Sequence, residues 1–215
     1  ALPDHRPALP PSITPYVYSQ AELKRLLDAT DVLESPCSRM QAPNYRALTL
    51  TLYGSGLRVG EAVRLNLSDV DLAERVLTVH ETKFYKSRLV PLGEQLAAAL
   101  AAYLKRRCCV AMPQGSSSAF FASREGRRLN YPRVVTLFQR VRAHAGIGCP
   151  PGASRPPRLH DLRHTAAVHR VLTWYQQGHD VQQLLPKLAT YLGHVSVAST
   201  QRYLQMTPEL LQAAS

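Results

Sequence analysis

The stretch VLTVHETKFYKSRLVPL, Val76–Leu92, alternates apolar and polar residues on either side of a polar middle. Period-two alternation around a polar turn reads as a β-hairpin. Most of the chain around it repeats apolar residues at helical spacing. One hairpin among many helices limits the chain to a mainly α fold with a small antiparallel β-sheet, an α+β class. Ser19 and Glu22 form a capping-box pair ahead of Leu23, Leu26 and Leu27, which predicts a helix over Tyr18–Thr30. NYRALTLTLYGSG predicts a second helix closed by glycines, and LRVGEAVRL a short third. GEQLAAALAAYLKRRCCVAM predicts a long helix through Met112, and SSSAFFAS a short strand. YPRVVTLFQRVRAHAGI has Pro132 at a helix start, and GCPPGASRPP is a loop. LHDLRHTAAVHRVLTWYQQG is a helix closed by Gly178, and DVQQLLPKLATYLGH another, with Pro186 near its start or at a kink.

A chain of 215 residues with 45% apolar content can bury a real core. No run of about 18 apolar residues predicts a membrane span. The opening ALPDHRPALPPSITP lacks the apolar centre of a signal peptide, and residues 1–15 read as a linker from a missing or shortened N-terminal DNA-binding domain. The cysteines, Cys37, Cys108, Cys109 and Cys149, fit neither a disulfide framework nor a zinc pattern, and point to a reducing cytoplasm.

The net charge is +11, and its distribution is more informative than its size. Between Arg124 and Arg170 there are ten arginines, no lysine, and only Glu125 and Asp161 as acids. Arginine suits planar, forked contact with phosphate. The favoured partner is double-stranded DNA. Candidate DNA contacts are Arg124, Arg127, Arg128, Arg133, Arg155 and Arg158, with Lys86 and Arg88 from the hairpin.

A second set of polar residues falls beside glycine turns or inside apolar helices: Arg58, Lys83, His160, Arg163, His194 and Tyr203. His160 and Arg163 are three residues apart, on one helix face. Two guanidiniums can grip non-bridging phosphate oxygens and stabilise a five-coordinate transition state. Histidine moves protons near neutral pH. A phenol beside several cations is a competent nucleophile. No carboxylate cluster suits Mg²⁺, so the expectation is no metal and no cofactor. His160 and His164 at i and i+4 lack a third ligand for zinc. Tyr191 reads as an amphipathic helix residue rather than a rival nucleophile.

YGSGLRVGEAVRL, HDLRHT and YLGHVSVASTQRYL, in this order with TK…KSRLVPL between them, resemble the boxes of the tyrosine recombinases, the phage-integrase family. The resemblance covers roughly Tyr18 to Met206. It implies that Tyr203 attacks the scissile phosphate to give a 3′-phosphotyrosine and a free 5′-hydroxyl. It implies that Arg58 and Arg163 clamp the phosphate, that His160 assists proton transfer, and that His194 hydrogen-bonds the phosphate. Lys83 is the implied general acid, with Lys86 as rival because the hairpin reads ETKFYKSR. Glu61 matches the acidic position that braces the first arginine. Reversal of the attack rejoins strands without ATP. The interval from Arg163 to His194 is longer than the family's usual one, with the excess placed in WYQQGHDVQQLLPK.

The implied activity is site-specific recombination or integration, including transposition of mobile elements. Two alternatives stay open: a non-catalytic DNA-binding accessory protein, and type IB topoisomerase-like relaxation. Residues 16–206 are the expected catalytic domain. Residues 207–215 are an expected tail helix whose Leu210 and Leu211 need a groove, either on their own domain or on a neighbour, the latter as in family members when a homo-tetramer assembles on paired DNA sites.

Overall fold

A computed structural model describes residues 15–34, 41–80, 87–123 and 125–193. Within these, α1 (Gln20–Asp28) starts at Ser19, whose hydroxyl accepts from the Glu22 amide while the Glu22 carboxylate accepts from the Ser19 amide. The capping box read from sequence is therefore formed. A 3₁₀ turn follows at Ala29–Leu33. α2 (Gln41–Ser55) is buried nearly all round. It forms the centre of the molecule, packed against α1, the 3₁₀ turn, α3 (Val59–Arg64), α4 (Glu94–Cys108) and α6 (Asp161–Gln176). A helix whose one charged residue is Arg46 suits such enclosure, because little of its surface is suited to water.

Three antiparallel strands lie between α3 and α4, in the order β1 (Val70–Asp71), β2 (Val76–Val79), β3 (Arg88–Pro91). The β2–β3 hairpin is the one expected; β1 is an addition, too short to show any alternation. The register pairs Leu77 with Val90 and Val79 with Arg88. Leu77, Val79 and Val90 are buried, whereas Leu89 is 68% exposed. Opposed and alternate residues share a face, so Arg88 lies on the inward face and Leu89 on the outward one.

Two expectations are corrected. SSSAFFAS forms no regular strand; isolated bridges join Asn66 to Ala119 and Ala122 to Arg128. The long helix ends at Cys108, not Met112, and Cys108 and Cys109 are exposed. Arg107 explains the early stop. Its side chain is fully buried and donates to Gln114 Oε1 at 2.7 Å and to the carbonyls of Pro113 at 2.9 Å and Ala119 at 3.0 Å. The guanidinium folds the following loop back over the helix end. Arg107→Ala leaves these acceptors unpaired and is expected to cost about 3 kcal/mol. Thermal unfolding checks it, with an expected fall of roughly 6–12 °C for a domain of this size.

α5 (Tyr131–His144) begins at Asn130, with Pro132 in its first turn as expected. α6 and α7 (Val181–Leu192) form a hairpin with its own apolar seam of Val168, Val171, Val181, Leu185 and Leu188. Pro186 lies inside α7. Gly193 ends α7 in the left-handed conformation at φ 69°.

Candidate active site

The site is built where the turn before α3, the start of α6, the end of α7 and β3 meet. Arg58 precedes the first residue of α3. Its backbone N–H donates to Glu61 Oε2 at 2.9 Å and its Nη1 to Glu61 Oε1 at 2.9 Å. Its Nη2 reaches across to the Gly193 carbonyl at 3.2 Å. Arg163, one turn into α6 and only 2% exposed, donates to the carbonyls of Gly56 and Leu192, both at 2.5 Å. Two arginines thus satisfy adjacent carbonyls at the C-terminus of α7, where helix carbonyls lack partners and the dipole favours cations. Gly56 must be glycine here: its φ is 61°, and a Cβ would lie 2.6 Å from Leu192 Cδ2.

His160 caps α6, and its ring stands edge-on to His164 at 5.0 Å. Burial lowers its pKa below the ordinary value, and the charges of Arg163, Arg158 and Arg58 push the same way against the opposing pull of Asp161. The imidazole is therefore neutral at pH 7 and free to accept a proton. Asp161 is buried and bound by Arg158, through its amide at 2.7 Å and its Nη2 at 3.0 Å. That pair fixes the turn on which His160 stands.

Glu61 is the anionic centre. Besides Arg58 it accepts Arg88 Nη1 on Oε1 at 3.1 Å and Arg88 Nη2 on Oε2 at 3.0 Å. Burial alone would raise its carboxyl. The hydrogen bond from Arg88, the Arg58 amide and the two guanidinium charges outweigh this and hold it at about 2.

The structure brings together Arg58, Glu61, His160 and Arg163 from the residues singled out in the sequence. Lys83, Lys86, Arg124, His194 and Tyr203 lie outside the described residues. Arg127, Arg133 and Arg155 are exposed on the basic segment. Arg128 donates to the Val63 and Leu65 carbonyls and to Asn66, tying down the end of α3. Arg88, which sequence reasoning assigned to DNA, faces Glu61. Tyr191 packs with its hydroxyl towards the Pro91 carbonyl at 3.3 Å, and burial raises its pKa against the charges of Arg170 and Arg88. Among the described residues no group of three His, Cys, Asp or Glu side chains could hold a metal ion. No described helix is long and apolar enough to cross a membrane.

The model of the phage integrase family matches residues 17–209. The chain belongs to the phage integrase family. It is a tyrosine recombinase catalytic domain by its relatives as well. The putative integrase/recombinase y4rB of Sinorhizobium fredii is 42% identical, over all of this chain and 71% of that protein. The tyrosine recombinase XerD of Bifidobacterium longum is 33% identical, over 93% of this chain and 61% of that protein. The crystal structure of XerA recombinase superposes with a TM-score of 0.69 at 28% identity, covering 97% of this chain and 65% of that one. The integrase chain therefore spans roughly two thirds of the length of these relatives, and the fold is the tyrosine recombinase catalytic-domain fold.

Proposed function

We propose that this domain cuts and rejoins duplex DNA through a 3′-phosphotyrosine, as a site-specific recombinase. The observation that carries the reading is the convergence of Arg58 and Arg163 on the two carbonyls that end α7, ten residues before Tyr203, with His160 capping the helix that carries Arg163. The Tyr203 oxygen forms a bond to phosphorus as the bond to the 5′-oxygen breaks. The phenolic proton passes to His160. Lys83, or Lys86, gives a proton to the departing 5′-oxygen. Arg58 and Arg163 bind the non-bridging oxygens, and His194 adds a hydrogen bond. Attack by a 5′-hydroxyl on the phosphotyrosine reverses these steps, so bond energy is conserved and neither ATP nor a metal is required.

The exposed arginines Arg127, Arg133 and Arg155, with Arg124, contribute to the DNA-facing surface. Assembly on paired sites as a homo-tetramer fits the same reading. A cavity of about 640 Å³ between α2, α4, α6 and α7, lined in part by Tyr53, Leu96 and Trp174, is the place this reading gives to Leu210 and Leu211 of a neighbour's tail. The protein acts in the cytoplasm, where its DNA is.

A nicked duplex that loses its short 5′-hydroxyl fragment after cleavage traps the covalent species. Wild-type protein is expected to give an adduct on a denaturing gel, with the yield unchanged by EDTA. Cleavage lost on chelation and restored by a divalent metal would overturn the mechanism. No adduct, with binding intact, would favour a non-catalytic DNA-binding role. Exchange between two duplexes, rather than relaxation of a supercoiled one alone, separates recombinase from topoisomerase action.

A further inference from the structure

The β3 strand contains an inversion. Leu89 is turned to solvent and Arg88 is turned inward, on the face shared with Val79 and Val90. A cation on a core-facing strand position needs an anion, because burial penalises an unpaired charge. The anion is Glu61, 27 residues earlier, met by a bidentate fork. The Arg88 side chain is 15% exposed, against 37% for Arg58. On its other side lies Gly193: a Cβ added there would stand 2.9 Å from Arg88 Cζ and Nη1. Arg88 therefore touches the carboxylate that holds Arg58 and the backbone whose carbonyl Arg58 also binds.

We propose that Arg88 is a positioning residue for phosphoryl transfer: it locks the Glu61 carboxylate and the end of α7 so that Arg58 is aimed at the scissile phosphate. Each Glu61 oxygen accepts one bond from Arg58 and one from Arg88. With all four bonds made, the carboxylate has one orientation, and Arg58 inherits it. With Arg88 removed, two acceptor directions are empty and the carboxylate can rotate. Misplacing a transition-state contact by about 1 Å can cost on the order of 100-fold in rate. Arg88 also forms the exit of the hairpin whose middle carries Lys83 and Lys86, so the same fork joins that hairpin to the phosphate clamp.

The charged groups facing Glu61 are Arg58, from the turn before α3, and Arg88, from β3. In the wild type Glu61 stays ionised down to about pH 2, below any useful assay. Without Arg88, burial is opposed by Arg58 alone, and the carboxyl must titrate at higher pH. Protonated Glu61 no longer braces Arg58, so activity is lost as pH falls through that higher value.

The test is single-turnover cleavage of the nicked duplex at saturating DNA, as a function of pH, for wild type, Arg88→Gln and Arg88→Lys. Thermal unfolding checks that each variant folds, and DNA affinity is measured at several salt concentrations. The expected result is a cleavage rate down on the order of 100-fold for Arg88→Gln, with affinity and its salt slope close to wild type. Its acid limb moves to higher pH. Arg88→Lys, a charge without a fork, recovers part of the rate and returns the acid limb towards wild type. A wild-type rate and pH profile in Arg88→Gln overturns the proposal. So does an unchanged saturated rate with weaker binding and a salt slope smaller by about one, the mark of a lost phosphate contact. Failure of both variants to fold also overturns it, by assigning Arg88 to the scaffold. The inference rests on the phosphotyrosine reading: no adduct with wild type sinks both, whereas a wild-type adduct with indifferent variants sinks only this one.

Discussion

Tyr203→Phe is expected to remove covalent attachment to DNA entirely, a fall of at least about 10⁴-fold, while affinity changes less than about threefold. The substitution deletes one oxygen. In the proposed mechanism that oxygen is the atom that bonds to phosphorus. Tyr191, the nearest tyrosine in sequence on the α7 side, has its hydroxyl directed at the Pro91 carbonyl and its pKa raised by burial. It is bound where it is and held as a phenol. Binding, in the proposed reading, draws on many arginines whose contribution does not pass through this hydroxyl. The nicked-duplex adduct on a denaturing gel and a mobility shift on intact duplex measure the two quantities separately. An adduct that survives the substitution would exclude Tyr203 as the nucleophile.

Arg163→Lys is expected to slow cleavage on the order of 10²–10³-fold and to destabilise the fold by about 2 kcal/mol. The proposed mechanism gives this arginine a second duty beside its structural one. Its Nη1 and Nη2 hold the carbonyls of Gly56 and Leu192, on two different elements, from a position almost wholly covered by protein. A lysine ammonium is a compact point charge without a planar fork. It cannot span both carbonyls and still stabilise charge developing on phosphate. The carbonyl left unpaired lowers stability, and the displaced charge lowers the rate. Single-turnover cleavage at saturating DNA and thermal unfolding report these effects independently. Cleavage within a factor of three of wild type would show that Arg163 serves the scaffold alone.

Some of this site was legible because its parts are local. Arg58 and Glu61 are three residues apart, as are His160 and Arg163, and that spacing on a helix puts side chains together whatever the fold does. The Ser19–Glu22 cap is local in the same way. Arg88 was not legible. In SRLVPL either Leu89 or Val90 could face the core, and the two choices put Arg88 on opposite faces. Only Glu61, a partner distant in sequence, decides between them. The early end of α4 was not legible for a related reason: nothing in LKRRCC marks Arg107 as buried, and its acceptors lie in a loop with no sequence signature. The arginine count also overstates the charge offered to DNA. Arg128, Arg142 and Arg158 each bind acceptors within the protein.

The α6–α7 hairpin separates chain length from chemistry. α6 runs 16 residues, about 24 Å, from the His160 end to Gln176. His160, Arg163 and Gly193 lie at one end, and Gln177–Asp180 turn the chain at the other. The apolar seam of Val168, Val171, Leu185 and Leu188 fixes how the two helices align. Extra residues between Arg163 and His194 can therefore accumulate at the tip, leaving the reacting end in register. For evolution, this is a place where lineages can diverge in size without relearning catalysis. For a protein engineer, the Gly178 turn is an attachment point: a fluorophore or a tether placed there travels with the enzyme while standing clear of the DNA cleavage centre.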